Sequence, residues 1–251
     1  MTFDQREFDI RCEWGEQGVA RLAPISDAVI IVDIMSFSTC VTVAAAREAT
    51  VFPYRWKDDS RLAFAHSVGA ELAGSRGKSR FSLSPASLLL IPPGTRLVLP
   101  SPNGSTLTLS TGQTPTFAGC FRNSKAVALA AMRCGRKVAV VPAGERWKED
   151  QTLRPAFEDL VGVGAIIQHL TGTLSPEARL AVDAFRGAVP ELLVRLKECS
   201  SGKELIAMGF EDDIPVIAEM DVDDCAPILK DGAYRKAEPE GPDYGSQARR
   251  T

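Results

Sequence analysis

Ala28-Val-Ile-Ile-Val-Asp33, followed by Ile34-Met-Ser-Phe-Ser-Thr39 and an alanine-rich run to Arg47, decides how this chain reads. Five apolar residues in a row, four of them β-branched, describe a strand buried on both faces. The serines that follow can cap a helix over Thr39 to Arg47. A strand, a polar tip and a helix make one βα unit.

The same unit recurs along the chain. Val51 to Tyr54 reads as a strand and Ser60 to Leu72 as a helix. Gly74 to Gly94, rich in Ser, Pro and Gly, reads as loop. Thr95 to Pro100 is a strand entering the turn Ser101-Pro-Asn-Gly104, with a helical start at Ser105. Thr114 to Gly119 is a strand leading through Cys120-Phe-Arg-Asn-Ser124 to a helix over Lys125 to Cys134. Lys137 to Pro142 is a strand ending in Ala143-Gly-Glu145, and Pro155 suits the first turn of a helix to His169. Helices are expected over Pro176 to Phe185, Pro190 to Cys199 and Ser201 to Met208, with a last strand at Pro215 to Met220.

This alternation predicts an α/β fold, a three-layer α/β/α arrangement around a mostly parallel or mixed sheet. Residues 1–235 form one unit, and 236–251, dominated by Pro, Gly and charge, read as a disordered tail. Ligands of such sheets bind at the carboxyl ends of the strands, so the loops after Asp33, Ser101, Cys120 and Gly144 are where a site is expected.

Composition narrows the function. Of 251 residues, 45 % are hydrophobic and 24 % charged, with a net charge of −3. No basic surface calls for nucleic acid or an acidic membrane. Met1 to Cys12 lacks the apolar core of a signal peptide, and no apolar run reaches the ~20 residues of a membrane span, so a cytoplasmic protein is expected. The cysteines show no C-x-x-C pair, and only His66 and His169 are present, which argues against zinc and phosphohistidine chemistry. No Cys-x5-Arg motif supports a thiol phosphatase. Gly74-Ser-Arg-Gly-Lys-Ser79 lacks the first glycine of a P-loop.

What remains is hard-oxygen chemistry. Asp33 at a strand tip either caps the turn or serves as a ligand or nucleophile. Glu145 ends another strand. Glu158 and Asp159 sit in a helix first turn, where acids ordinarily offset the macrodipole. Together the four supply the oxygen ligands that Mg²⁺ prefers. Ser36, Ser38, Thr39, Ser101, Asn103, Gly104, Arg122 and Asn123 are the candidate phosphate contacts, through helix N-termini, hydroxyls and a guanidinium. Each of these stretches is equally an ordinary turn or cap.

Taken together, Val32-Asp-Ile-Met-Ser-Phe-Ser-Thr39, Pro100-Ser-Pro-Asn-Gly-Ser105, Gly119-Cys-Phe-Arg-Asn-Ser-Lys-Ala126, Pro142-Ala-Gly-Glu145 and Phe157-Glu-Asp-Leu-Val-Gly-Val-Gly-Ala165 resemble the 2-phosphosulfolactate phosphatase family of coenzyme M biosynthesis and its bacterial relatives. Ser201-Gly-Lys-Glu-Leu205 and Gly209-Phe-Glu-Asp-Asp213 match its C-terminal part. The resemblance implies Mg²⁺-dependent hydrolysis of a phosphate monoester on a small sulfonated acid. It also implies a three-layer α/β fold. Two positions depart: the family motif carries Arg three residues after the aspartate and then Ala, where this chain has Ser36 and Phe37, so the substrate preference is expected to differ. A small anionic phosphorylated substrate is the expected partner, and self-association into a homo-oligomer stays open. Two other classes compete, a binding protein that keeps the pocket without catalysis and an isomerase or transferase acting on a phosphorylated carboxylate.

Overall fold

The computed structural model describes residues 3–56 and 58–237. Nine strands form one sheet: β1 (Ile10–Cys12), β2 (Ala28–Val32), β3 (Thr50–Tyr54), β4 (Glu71–Leu72), β5 (Arg96–Pro100), β6 (Thr116–Gly119), β7 (Val138–Pro142), β10 (Pro227–Lys230) and β11 (Ala233–Lys236). A small hairpin, β8 (Glu145–Arg146) with β9 (Leu153–Arg154), stands apart. The helices are α1 (Gly15–Leu22), α2 (Phe37–Ala46), α3 (Ser60–Ser67), α4 (Pro85–Leu88), α5 (Gly104–Thr108), α6 (Ser124–Cys134), α7 (Phe157–Ile167), α8 (Pro176–Ala188), α9 (Leu192–Glu198), α10 (Ser200–Ala207) and α11 (Asp213–Ala218).

The fully buried β2 lies between β6 and β7, parallel to both. Its pleat splits the core as the apolar run requires. Ile30 and Val32 pack toward residues of α6 and α7, Val29 and Ile31 toward those of α1 and α5. The helices thus lie on both faces of a mixed sheet, the α/β class expected.

Strand order is β1-β7-β2-β6-β10-β11-β3-β5-β4. The β10–β11 hairpin joins two parallel blocks through three antiparallel pairings. Its turn is Asp231-Gly232, both at positive φ (51° and 75°), the conformation that favours Asp-Gly in a two-residue hairpin. Counted along the ladders, β5 therefore runs against β2. Five strand spacings separate the two, about 24 Å in a flat sheet. Yet the Gly104 N–H after β5 donates to Asp33 Oδ2 after β2 at 2.9 Å. Twist resolves this, because five steps of about 20–25° turn β5 by roughly 100–125° relative to β2. The curled sheet brings the ends of β2, β5 and β7 together.

Three expectations change. Pro215 to Met220 is not a strand: Ile214 and Ile217, three apart, bury one face of α11, and Pro215 sits in its first turn, where a missing N–H costs nothing. Ser60 to Leu72 is a shorter helix followed by the edge strand β4. Arg235 and Lys236 belong to β11, so the sheet includes them, and the tail expected at 236–251 lies outside the described residues from 238 on. Among the described residues, no helix is long and apolar enough to cross a membrane.

Candidate active site

Asp33 closes β2 and is 7 % exposed. Its Oδ1 accepts the Phe37 N–H at the start of α2 (3.0 Å) and its Oδ2 the Gly104 N–H at the start of α5 (2.9 Å). The same carboxylate therefore caps one helix and ties a second to it. Gly104 is required by this contact: a Cβ there would lie 2.7 Å from Asp33 Oδ2 and 2.3 Å from the Phe37 ring. Next to it, Asn103 Nδ2 donates to Glu145 Oε2 at 2.9 Å. Asn103-Gly104 so links the two carboxylates that the sequence nominated as catalytic.

Asp159, on the first turn of α7, accepts the Ile34 N–H with Oδ1 and the Gly144 N–H with Oδ2, both at 2.8 Å. It is a bracket between the ends of β2 and β7, and the charge-assisted bonds contribute about 1.5–3 kcal/mol each. Glu158 beside it is 2 % exposed.

Burial is the leading cause of the pKa shifts. It pushes Asp33 up to about 6, against its N–H bonds from Phe37 and Gly104 and with the charge of Glu158 adding to it. Burial and then the charges of Asp33 and Glu158 push Glu145 up to about 7. Asp159 is held well above the usual carboxylate range by burial and then by Glu158 and Asp33. A carboxyl poised near neutrality can exchange a proton with a reacting group at working pH.

These shifts set a pH prediction for the metal-free chain. Between the ordinary carboxyl pKa and the raised one, the folded state binds more protons than the unfolded state. The stability from these groups is full below about 4 and is lost as pH rises through about 6 for Asp33 and about 7 for Glu145. In excess chelator, the melting temperature should fall from pH 5 to pH 8, and Glu145→Gln should flatten the upper part of that fall. Calorimetry showing a rise over this range would contradict the arrangement.

Among the described residues, no three acidic, histidine or cysteine side chains converge as a ready cage. Mg²⁺ does not need one, since it is ordinarily held by one or two carboxylates with water and substrate oxygens completing the shell. Asp33 and Glu145, the charge of the first raising the charging cost of the second, fit that pattern. Each Asp33 oxygen keeps a second lone pair beyond its N–H bond.

The remaining candidates separate. Ser36, 1 % exposed, accepts from Arg76 Nη2 at 2.9 Å. Ser38 Oγ donates to the Ile31 carbonyl and accepts from the Asp33 N–H, and Thr39 Oγ1 donates to the Ile34 carbonyl. Those two hydroxyls are spent on the backbone at the strand tip. Ser101 is 2 % exposed, with its N–H on the Tyr54 carbonyl at 3.0 Å.

Arg122 and Asn123 are not brought to this cluster. Arg122 Nε donates to Asp223 at 2.6 Å and Nη1 to the Val216 carbonyl at 2.9 Å, and it pairs with Glu219. Asn123 accepts from the Cys120 N–H and donates to the Ala118 and Cys225 carbonyls. Their geometry is that of a joint fastening α11 and its following segment to the β6–α6 turn. Arg122→Ala should cost about 2–3 kcal/mol by stranding a mostly buried Asp223, lowering the melting temperature by roughly 5–10 °C. KM should stay within about twofold. A tenfold rise in KM at unchanged melting temperature would return Arg122 to the substrate.

Sequence reasoning missed two arginines. Arg61 on α3 and Arg76 in the loop after β4 line a cavity of about 430 Å³ together with Met35, Glu145 and Ser201. The signal was Gly69, two residues past the helix, which separates α3 from β4 and the loop that carries Arg76.

The sequence model of the family described as 2-phosphosulpholactate phosphatase matches residues 18–232. The chain belongs to this family. The 2-phosphosulfolactate phosphatase of Methanothermobacter thermautotrophicus is 30 % identical over 213 residues, 82 % of this chain and 88 % of that protein. A probable 2-phosphosulfolactate phosphatase of Thermus thermophilus is 28 % identical over 219 residues, 81 % of this chain and 88 % of its own length. Another, from Pseudothermotoga lettingae, is 26 % identical over 216 residues, 84 % and 92 % of the two chains. The matched span contains the whole cluster around Asp33 and Glu145, so the site described is that of a phosphatase family.

Proposed function

We propose that this chain hydrolyses the phosphate monoester of 2-phosphosulfolactate or a similar small phosphorylated hydroxy acid, with Mg²⁺ as cofactor. One observation carries the reading: a buried and a half-buried carboxylate, Asp33 and Glu145, are linked through Asn103-Gly104 beside a cavity that also presents arginines. Family membership supports the reaction, and the donor set supports the cation. Asp33 and Glu145 would hold the ion, with Glu158 and Asp159 adding negative potential behind them. The bound cation would neutralise phosphate charge and lower the pKa of water.

The chain's own groups do the rest. Asp33 holds the N-termini of α2 and α5 in fixed relation, so phosphate meets preset backbone donors. Glu145, through the oxygen not turned to the ion, would take a proton from the attacking water and pass it to the leaving alkoxide. Phosphoryl transfer asks mainly for positioning and charge neutralisation, which a rigid strand-tip cluster supplies. Cys12, Cys40, Cys120, Cys199 and Cys225 are free thiols, which supports a reducing cytoplasm as its place.

The test is phosphate release from a panel of phosphorylated hydroxy acids with and without a sulfonate. Turnover fastest on the sulfonated acid supports the reading. Tight binding of the same esters without any release of phosphate would make this a binding protein instead.

A further inference from the structure

Arg11, far from this cavity, also keeps unpartnered buried nitrogens, but among the arginines around the site Arg61 stands apart. Arg122 is paired with acids, Arg76 donates to Ser36 Oγ and the Leu83 carbonyl, and Arg154 donates to Ser201 Oγ at 3.5 Å. Arg61 lines the cavity it shares with Glu145, yet its Nε is shut from solvent and has no hydrogen-bond partner among the described residues. No carboxylate among them lies within ion-pair reach of it. A guanidinium is always charged and offers a rigid fork of five donors. Leaving the buried Nε donor unmet costs free energy in the free protein, and an oxyanion arriving in the cavity would accept from it. Glu204 on the same wall does not cancel the effect, because Lys148 Nζ lies 3.4 Å from it. The volume of about 430 Å³ suits a small metabolite, within the usual range for such pockets.

We propose that Arg61 is a specificity-determining residue that binds the acidic group of the substrate other than its phosphate, a carboxylate or sulfonate held by the guanidinium fork. This rests on the phosphatase reading above. Charge-assisted bonds of this kind set selectivity between a doubly acidic ester and a plain one.

The experiment compares Arg61→Gln and Arg61→Lys with the unaltered chain, using 2-phosphosulfolactate and phenyl phosphate. The ratio of kcat/KM for the two esters should fall tenfold or more in Arg61→Gln, mainly through KM for the diacid. Arg61→Lys, which keeps charge but loses the fork, should recover part of it. A ratio that Arg61→Gln leaves unchanged overturns the proposal. If the unaltered chain releases phosphate from neither ester, the phosphatase reading fails by itself. Calorimetric binding of sulfolactate then decides the role of Arg61, with tenfold weaker binding in Arg61→Gln supporting it and equal binding overturning it.

Discussion

Asp33→Asn is expected to lower kcat by at least about 10²-fold, with loss of a charged ligand as the cause. The geometry adds a structural cost that the sequence does not show. Both Asp33 oxygens accept backbone N–H groups, from Phe37 and Gly104. An asparagine can accept only one of them and must face its NH₂ toward the other donor. A buried donor left unmade costs about 1–3 kcal/mol, so the variant should also melt at a lower temperature. The two losses are separable. Added Mg²⁺ should raise the melting temperature of the unaltered chain and leave that of Asp33→Asn unmoved. Near-normal turnover in the variant would reduce Asp33 to a double helix cap.

Chelation should abolish phosphate release, and Mg²⁺ or Mn²⁺ should restore it. The argument is electrostatic. The charge of Glu158 pushes up the pKa values of Asp33, Glu145 and Asp159, and that of Asp33 pushes up those of Glu145 and Asp159. Arg76 opposes the charging cost at Asp33 and Arg154 at Glu145, but each ranks last among the influences on its carboxyl. A phosphate dianion set about 4 Å from one such carboxylate meets a repulsion of about 4 kcal/mol per charge pair at an effective dielectric of 20. That is roughly a thousandfold in rate or affinity, more than one helix N-terminus returns. A divalent cation reverses the sign of the local field. Phosphate release that persists at full rate in excess chelator would show that the arginines and backbone donors suffice alone.

How far the sequence reaches is visible in particular elements. The run Ala28 to Val32 announced a strand buried on both faces because five apolar residues leave no side for water. Its polar tip placed Asp33 at a carboxyl end, and the strands at Arg96–Pro100 and Val138–Pro142 announced themselves likewise. The Asp231-Gly232 turn carried an equally strong hairpin signal, which went unread beside the polar residues that follow it. These features are local, set by side-chain periodicity and turn chemistry within a few residues. What joins Asp33 to Gly104 and Asn103 to Glu145 is not local. It depends on sheet twist summed over five strand pairs and on a hairpin near the C-terminus that joins the two parallel blocks. The same holds for Arg122, whose partners Val216, Glu219 and Asp223 lie about ninety to a hundred positions away. A guanidinium reads alike in sequence whether it clamps a phosphate or fastens a helix. The sequence by itself determined the βα units and the family. Only the tertiary structure decided which carboxylates share a cavity and which arginines face it, because burial and charge pairing arise when segments distant in sequence are packed together.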